Sequence, residues 1–328
     1  MISFIPEMEF SYSISDQLRQ SLTKIDYLRA KIYLAPLTIK EELRLRWEAG
    51  ILRTFFTLSL VDLSFSKNEV VKILTLQGEK VPPHHKPVLN YKKALDFIYW
   101  EYLSSQKNVN VKAIYDIYDI IRAKHLRIEE GKVRRLLDYL SANPATTQIS
   151  NGASPDHPII QAGILHEEIL FLSPFRSQNK HMSSLLTLLF LYNRGYDFRG
   201  LLVLEEYLRK NIVSYSEVLS NVSQTRNLTL WLEYFAAAII SQLEGVLKVI
   251  ESQDYRTNLP AVYFELNDRQ KHILTFLEEP GLRITNKKVQ SIFNISQITA
   301  SRDLAHLKIL GLLISHGKGR SVYYTRSN

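Results

Sequence analysis

Hydrophobic residues recur at helical spacing along most of the chain. Trp231, Tyr234 and Phe235 follow the i, i+3, i+4 spacing of a buried helical face. A similar apolar pattern follows residue 184, where the predicted buried face consists of Leu185, Leu188 and Leu189. These patterns predict a mainly α fold in which most helices bury one face.

The C-terminal part, residues 266–328, has a pattern of its own. Asn267 and Gln270 have the spacing of a capping box, which predicts a helix with Ile273, Leu274 and Leu277 on its buried face. Two more helices are expected. Their predicted inward residues are Val289, Ile292 and Phe293 in the first, and Leu304, Leu307 and Leu310 in the second, for which Ser296 is the N-cap.

Two short strands are predicted after the third helix, at 313–315 and 322–324. They flank the basic, glycine-containing turn Gly317-Lys318-Gly319-Arg320. A small α+β domain is therefore expected to follow the helical body.

Composition narrows the possible chemistry. The 328 residues include no cysteine, which excludes disulfides, thiol nucleophiles and thiolate metal sites, and suits a reducing cytoplasm. The histidines are dispersed, so no metal site is expected. No apolar run approaches the roughly twenty residues that cross a bilayer, and the N-terminus lacks the pattern of a signal peptide, so we expect no membrane partner.

A stretch from 157 to 185 carries a recognisable motif. Ala162 and His166 lie in an apolar lead-in, and Pro174, Phe175 and Asn179 follow at fixed spacing. This arrangement resembles the core of the Fic family, whose members usually transfer AMP from ATP to a protein hydroxyl. The family motif reads His-Pro-Phe-x-Asp/Glu-Gly-Asn-Gly-Arg-x-x-Arg. The resemblance implies a multi-helix Fic-type bundle, in which the motif forms a loop followed by a helix, with Phe175 in the core.

The residues that carry the chemistry differ from the family motif. Ser173 replaces the catalytic histidine, Ser177 replaces Asp/Glu, Gln178 and Lys180 replace the two glycines, and His181 and Ser184 replace the two arginines. A serine cannot act as a general base near neutral pH, and Ser177 offers no charge for Mg²⁺. Side chains at 178 and 180 also occupy space where backbone N–H groups would approach phosphates.

The other histidines near the motif are not expected to replace the missing base, and His157 is expected in the first turn of the helix before the motif. His166 is expected to be a packed, hydrogen-bonded core residue on the helix before the motif. His181 lies roughly 12 Å along the helix axis from Ser173, at 1.5 Å per residue. The sequence thus predicts a Fic fold with no catalytic residue and no bound cofactor.

The resemblance extends to neighbouring segments. Residues 10–14 and 25–30 are similar to the helical segment that precedes many bacterial Fic domains, and 201–215 and 228–235 resemble its later helices. Self-inhibited family members carry the motif Ser-x-Ile-Glu-Gly-Asn. This chain has Ser59 at the serine position and the shorter acid Asp62 in place of the glutamate. The expected partner of Asp62 is now Ser184. A target-clamping flap is expected to be absent or vestigial at 127–132, and its alternative position, 142–155, has loop composition.

These observations predict an N-terminal helical segment at 1–85, a Fic-like core at 86–255 and a C-terminal domain at 266–328. Helices followed by a basic hairpin in the last domain resemble a winged helix-turn-helix. From residue 266 onward, the sequence has ten Lys/Arg and four Asp/Glu, so this part carries a formal net charge of +6 out of +8 for the whole chain. The resemblance implies contacts with double-stranded DNA, in the major groove through Gln297, Thr299 and Arg302 and with phosphates or the minor groove through Lys318 and Arg320.

Three functions from different classes remain open at this point. The first is a DNA-binding regulator with a catalytically degenerate Fic body. The second is a residual nucleotidyl or phosphoryl transferase with altered chemistry, which alone would need ATP and Mg²⁺. The third is a protein-interaction scaffold or homodimer, since many winged helices dock proteins with solvated charged faces.

Overall fold

The computed structural model describes residues 10–75, 82–102, 109–122, 128–141, 157–252, 266–277, 282–310, 312–317 and 321–326. These residues divide into two compact units. The first comprises Met1–Pro36 and Leu45–Asp254, and the second comprises Leu37–Arg44 and Tyr255–Asn328, each over its described part. The fold is mainly α with a small α+β C-terminal part, as the sequence predicted.

The described α-helices up to residue 252 range from 7 to 24 residues. Two single-turn 3₁₀ helices, Pro83–His85 and Phe198–Gly200, lie between them. The α-helices are α1 (Asp16–Leu34), α2 (Ile39–Leu60), α3 (Lys67–Thr75), α4 (Lys86–Tyr102), α5 (Val111–Arg122), α6 (Glu130–Ser141), α7 (Pro158–Leu172), α8 (Asn179–Asn193), α9 (Leu204–Lys210), α10 (Ile212–Thr225) and α11 (Thr229–Ser252).

The centre of the first unit is the helix pair α7 and α8, against which α4, α6 and α11 also pack. Both central helices are apolar on nearly every side, as expected of helices enclosed by others. At Gly163 on α7, an added Cβ would lie 2.8 Å from Leu232 and 3.2 Å from Phe235 of α11. The indole N–H of Trp231 donates to the Gly163 carbonyl at 2.8 Å, so glycine permits this close approach.

Among the described residues, helix α11 is long and apolar enough to cross a membrane by length and composition alone. The sequence predicts no uninterrupted apolar run of that length, and α11 contains Glu233, Glu244 and Lys248. Trp231, Phe235, Ile239 and Leu243 of α11 are buried in the main core, however, so the helix also has the features of a central packing element.

The N-terminal segment is held against α11 and the loop that precedes it. Ser11 forms a parallel bridge with Asn227, and helix α1 packs along α11. The N-cap of α1 is Ser15, whose hydroxyl accepts from the N–H of Leu18 at 3.1 Å. Helices α1, α3 and α4 belong to the same compact unit. The predicted boundary at residue 85 stays a prediction.

The second unit contains α12 (Asp268–Phe276), α13 (Asn286–Phe293) and α14 (Gln297–Ile309), then β1 (Leu313–His316) and β2 (Tyr323–Arg326). The two strands pair antiparallel, with Leu313 opposite Arg326 and His316 opposite Tyr323. The turn begins at Gly317, where φ is +80° and an added Cβ would lie 2.8 Å from the Ser321 carbonyl oxygen. The order of three helices and a hairpin matches the prediction.

Local signals in this unit were predicted well. The capping box of Asn267 and Gln270 is formed, and Ser296 caps α14 by accepting from the N–H of Thr299 at 3.2 Å. The core contains the predicted residues of α12 and α14 and, in addition, Leu43. Ile292 was expected to point inward but is 44% exposed, because Val289 and Phe293 fill the inward positions of the short helix α13.

Candidate functional site

The motif forms a loop between α7 and α8, as predicted. Helix α7 ends at Leu172, and Ser173 is its C-cap with a left-handed backbone, φ 45° and ψ 53°. Phe175 is 2% exposed and packs against Tyr118. The predicted buried face of α8, which is Leu185, Leu188 and Leu189, is also confirmed.

Asn179 shapes this loop. Its side-chain oxygen accepts from the Phe175 N–H at 3.0 Å, and its side-chain nitrogen donates to the Phe175 carbonyl at 2.8 Å. Gln178 precedes it with φ 70° and ψ 21°, in the left-handed region that favours glycine. The loop therefore places a non-glycine residue in a glycine-type conformation, at the position where the family motif has its first glycine.

A cleft of about 540 Å³ opens beside this loop. One side of the cleft is lined by the motif residues Ser173, Gln178, Asn179, Lys180, His181 and Ser184. The other side is lined by residues from the end of α2 (Leu60 and the following Val61), from α7 (Leu170) and from α10 (Ile212, Tyr215, Ser216 and Leu219). The structure thus brings most of the predicted motif positions to one cavity. Pro174 and Phe175 are buried, and the hydroxyl of Ser177 is buried with no hydrogen-bond partner among the described residues.

Two polar residues of the cleft are bonded within the protein. The Ser173 hydroxyl donates to the Leu170 carbonyl at 2.8 Å. The Lys180 ammonium lies 3.4 Å from the carbonyl of Leu60, the last residue of α2. A positive charge at the C-terminal end of a helix interacts favourably with the helix dipole. Both groups therefore stabilise the walls of the cleft.

The histidines near the motif are buried and neutral. The Nδ1 atom of His166 is hydrogen-bonded to the Thr187 hydroxyl at 3.2 Å, and its Nε2 atom is hydrogen-bonded to the Tyr215 hydroxyl at 3.0 Å. Burial lowers the pKa of His166 to about 3. This confirms the prediction of a hydrogen-bonded core histidine. Burial likewise lowers the pKa of His181 to about 4, and its Nδ1 has no partner in the described part of the chain.

Electrostatics of the cleft do not suit a divalent cation. None of the residues that line it, as far as the structure describes them, is Asp or Glu. Hard cations such as Mg²⁺ prefer carboxylate oxygens, and the neutral His181 adds no positive charge for a phosphate. The residues that line the cleft therefore do not fit ATP–Mg²⁺.

The structure describes the segment that resembles the inhibitory motif and part of the predicted flap position. Ser59 accepts from the Arg209 Nε at 2.8 Å, whereas Asp62 is exposed in a left-handed turn after α2. At the predicted flap position, Ile128 forms an antiparallel bridge with Phe175, and the Glu129 N–H donates to the Pro174 carbonyl at 2.9 Å, before α6 begins at Glu130. Arg127 and residues 142–155 lie outside the described residues.

A buried charge cluster on α7 was missed by the sequence analysis. Glu167 and Glu168 are 2% and 1% exposed, and both accept from the guanidinium of Arg226, Glu167 at 3.2 Å. Burial, with a further contribution from Glu168, raises the pKa of Glu167 to about 8. The sequence signal for this cluster is the adjacent pair Glu167 and Glu168 in an otherwise apolar helix. Acidic residues are rarely buried without a partner, so such a pair indicates a buried cation nearby.

In the second unit, helix α14 presents an open face. Gln297 and Arg302 are exposed, and Thr299 is half-buried with its hydroxyl 3.0 Å from that of Ser296. Residues two apart on a helix differ by roughly 200°. Gln297 and Thr299 therefore lie on opposite flanks of the face and not side by side. The centre of the face is Ile298, 65% exposed, which sequence reasoning left out.

The buried side of α14 carries Asp303, another residue that was missed. It is 4% exposed and accepts from Arg269 at 2.8 Å, Gln270 at 3.0 Å and Asn267 at 3.1 Å. Burial alone would raise the pKa of Asp303, but these hydrogen bonds lower it. Arg269 is thus a structural partner, and it is not available to a ligand. Lys318 and Arg320 lie outside the described residues.

Solved structures resemble this chain along most of its length. A Fic family protein from Desulfovibrio desulfuricans is 14% identical with a TM-score of 0.60, and each chain is covered to 98%. Fic-1 from C. elegans, residues 134–508, is 18% identical with a TM-score of 0.58 over 70% of this chain and 71% of that one. A Fic domain containing signaling protein from Bacteroides thetaiotaomicron is 15% identical, with a TM-score of 0.54, covering 74% of this chain and all of that one.

No protein-family model and no curated protein matches the sequence. At such low identity, the structural likeness defines the fold alone. The chain has the Fic fold, and the expectation drawn from the 157–185 motif is confirmed at that level.

Proposed function

We propose that this chain is a catalytically degenerate Fic-fold protein that binds double-stranded DNA through its C-terminal unit. The observation that carries the proposal is the contrast between the cleft and α14. Cleft residues Ser173 and Lys180 are hydrogen-bonded to backbone carbonyls of the first unit, whereas Gln297 and Arg302 are exposed on the first half of a capped helix. An exposed helix with free polar side chains suits the major groove, which is wide enough to admit it.

Charge supports this proposal. Lys287, Lys288 and Arg302 are exposed, and the acid of α14, Asp303, is buried against Arg269. The surface of α14 itself is thus cationic without a competing carboxylate. Phosphates attract such a surface regardless of sequence, while base edges are read by side chains such as Arg302. In this proposal, the unit is a winged helix-turn-helix domain.

The proposal on catalysis follows from the cleft. A general base must accept a proton near neutral pH, and Ser173 supplies no such group. His166 and His181 have lowered pKa values but are buried in the unit that forms the cleft, and His166 bonds to Thr187 and Tyr215. The ancestral AMP transfer is therefore not expected.

Selection from a pool of random duplexes tests the DNA-binding half of the proposal. The full-length protein should enrich one sequence over successive rounds, and an Arg302→Ala variant should enrich it less. Lys24→Ala, which removes an exposed lysine paired with Glu244 in the first unit, is the matched control and should enrich it equally. No retention of duplex above a no-protein control would overturn this half.

A transfer assay tests the catalytic half. Full-length protein is incubated with α-labelled ATP and Mg²⁺, alone and with bulk lysate. We expect no label on the protein or on lysate proteins above a no-protein control. Label that depends on the protein and disappears with Lys180→Ala would instead support the residual-transferase alternative.

A further inference from the structure

Ile298 lies at the centre of the exposed face of α14. It is 65% exposed, and Ser301, Arg302 and Ala305, which follow it by one and two turns, are also exposed. The opposite side of the helix is buried through Ala300, Leu304 and Leu307. A single exposed apolar residue is ordinary on a protein surface, so its position among polar groups is what matters.

The surroundings of Ile298 favour an anionic partner. The helix begins beside it at Ser296, so the positive end of the helix dipole is nearby. Arg302 lies one turn further on, and Lys287 and Lys288 of α13 are exposed in the same unit. The helix's own acid, Asp303, is buried and paired with Arg269 at 2.8 Å. This charge pattern is complementary to a phosphate backbone.

The chemistry of isoleucine narrows what it can read. It has no hydrogen-bonding group, and among base edges in the major groove the thymine 5-methyl group is the apolar feature. A β-branched side chain on a helix has one strongly preferred rotamer, so its methyl groups are held in place without a large entropy cost. Ile298 is therefore suited to packing against a methyl group at a fixed position.

We propose that Ile298 is a specificity residue that contacts the 5-methyl group of a thymine in the bound duplex. This inference rests on the proposed DNA binding by the C-terminal unit. Arg302 is four residues further along, roughly 6 Å at 1.5 Å per residue. That distance equals about two steps of 3.4 Å along one strand. The recognised site therefore contains a thymine within about two base pairs of the base that Arg302 contacts.

Replacing thymine by deoxyuridine tests this contact, because it removes the methyl group and nothing else. The selected duplex is made with each thymine replaced in turn, and the affinity of the full-length protein is measured at one salt concentration. We expect one replacement to weaken wild-type binding by roughly fourfold, which is the burial of about one methyl group. Ile298→Ala should weaken binding to the unmodified duplex and show no response to that replacement.

Ile292→Ala is the matched control, because Ile292 is 44% exposed on α13 and outside this face. It should respond to the replacement as the wild type does. If the wild type binds the selected duplex but no replacement affects it, the inference fails while the proposed function stands. An Ile298→Ala variant that binds DNA normally but loses self-association shows a protein contact, which also overturns the inference. Absence of any duplex binding overturns the proposed function itself.

Discussion

The motif cleft and the exposed face of α14 differ in how their polar side chains are used. In the cleft, Asn179 bonds to both backbone groups of Phe175, and Ser173 bonds to the end of its own helix. On α14, the capping serine stabilises the helix end, while Gln297 and Arg302 extend into solvent. The cleft residues Ser173 and Asn179 bond to backbone groups of their own unit, whereas the side chains of Gln297 and Arg302 are exposed to solvent.

This comparison indicates that residues of a family motif can stabilise a loop independently of any catalytic role. The loop before α8 retains a left-handed residue at 178 and a bridging asparagine at 179, both of which serve the fold. A fold does not by itself carry an activity.

The largest effect is expected from His166→Ala, which tests whether the first unit uses its polar residues for structure. The change removes a buried ring and leaves the hydroxyls of Thr187 and Tyr215 without this partner. Loss of packing and of hydrogen bonds should lower the free energy of unfolding by about 2–5 kcal/mol. Urea denaturation of the full-length protein measures it, with Arg302→Ala as the control that should change stability by less than about 0.5 kcal/mol.

Arg302→Ala tests the exposed face of α14, and it should change DNA affinity. If Arg302 reads a base edge, the variant loses about 1–3 kcal/mol of affinity for the selected duplex and discriminates less at one position. Lys287→Ala, an exposed lysine of the neighbouring helix, should instead weaken all duplexes equally. Fluorescence anisotropy with the selected duplex and single-base variants measures both. Equal losses of affinity on every duplex for Arg302→Ala would show that it contacts phosphate only.

A smaller effect is expected from the pH dependence of Glu167. Its pKa is raised to about 8 by burial and by Glu168, so the folded chain holds a proton that the unfolded chain releases above its ordinary value of 4.5. Stability should therefore fall as pH rises from about 5 to about 8 and level off above that. Because Arg226 bonds to both carboxylates, Glu167→Gln keeps an acceptor for it and removes the titration.

Thermal unfolding between pH 5 and pH 9 measures this dependence. The Glu167→Gln variant should show a flatter profile than the wild type. Glu244→Gln, which changes an exposed glutamate paired with Lys24, is the control and should keep the wild-type slope. If the two variants have the same profile, Glu167 is ionised in the folded protein and the assignment is wrong.

The smallest effect, none at all, is expected from restoring the motif histidine. Ser173→His supplies a base but no carboxylate for Mg²⁺, and the glycine and arginine positions still hold Gln178, Lys180, His181 and Ser184. We therefore expect no AMP transfer to the protein or to lysate from labelled ATP. Transfer by the single variant would mean that the cleft still binds nucleotide productively.

Sequence reasoning predicted those parts of the structure that depend on local pattern. The capping box at Asn267 and the N-cap at Ser296 follow from signals within a few residues, and the inward position of Phe175 follows from the resemblance of the motif to the Fic family. It did not predict the ion pair of Arg269 with Asp303, or that of Arg226 with Glu167, because these partners are 34 and 59 residues apart. Periodicity also did not distinguish Ile292, which is exposed, from Val289, which is buried.

Sequence reasoning placed the candidate DNA contacts on α14 but not their arrangement. It selected Gln297, Thr299 and Arg302 for their hydrogen-bonding groups and so passed over Ile298, the residue at the centre of the face. The helical angle of 100° per residue separates Gln297 from Thr299 once the buried side is fixed. That side is set by Leu304 and Leu307, whose burial depends on the packing of the whole unit.

Binding of duplex DNA by the full-length protein, measured across a range of salt concentrations with and without ATP–Mg²⁺, tests the central claim most directly. Our account predicts that the logarithm of the binding constant falls linearly with the logarithm of salt concentration, since cations on the C-terminal unit displace counterions from phosphates. It also predicts that ATP–Mg²⁺ leaves the binding curve unchanged. No duplex binding at low salt, together with tight binding of ATP–Mg²⁺ in the cleft, would contradict the account.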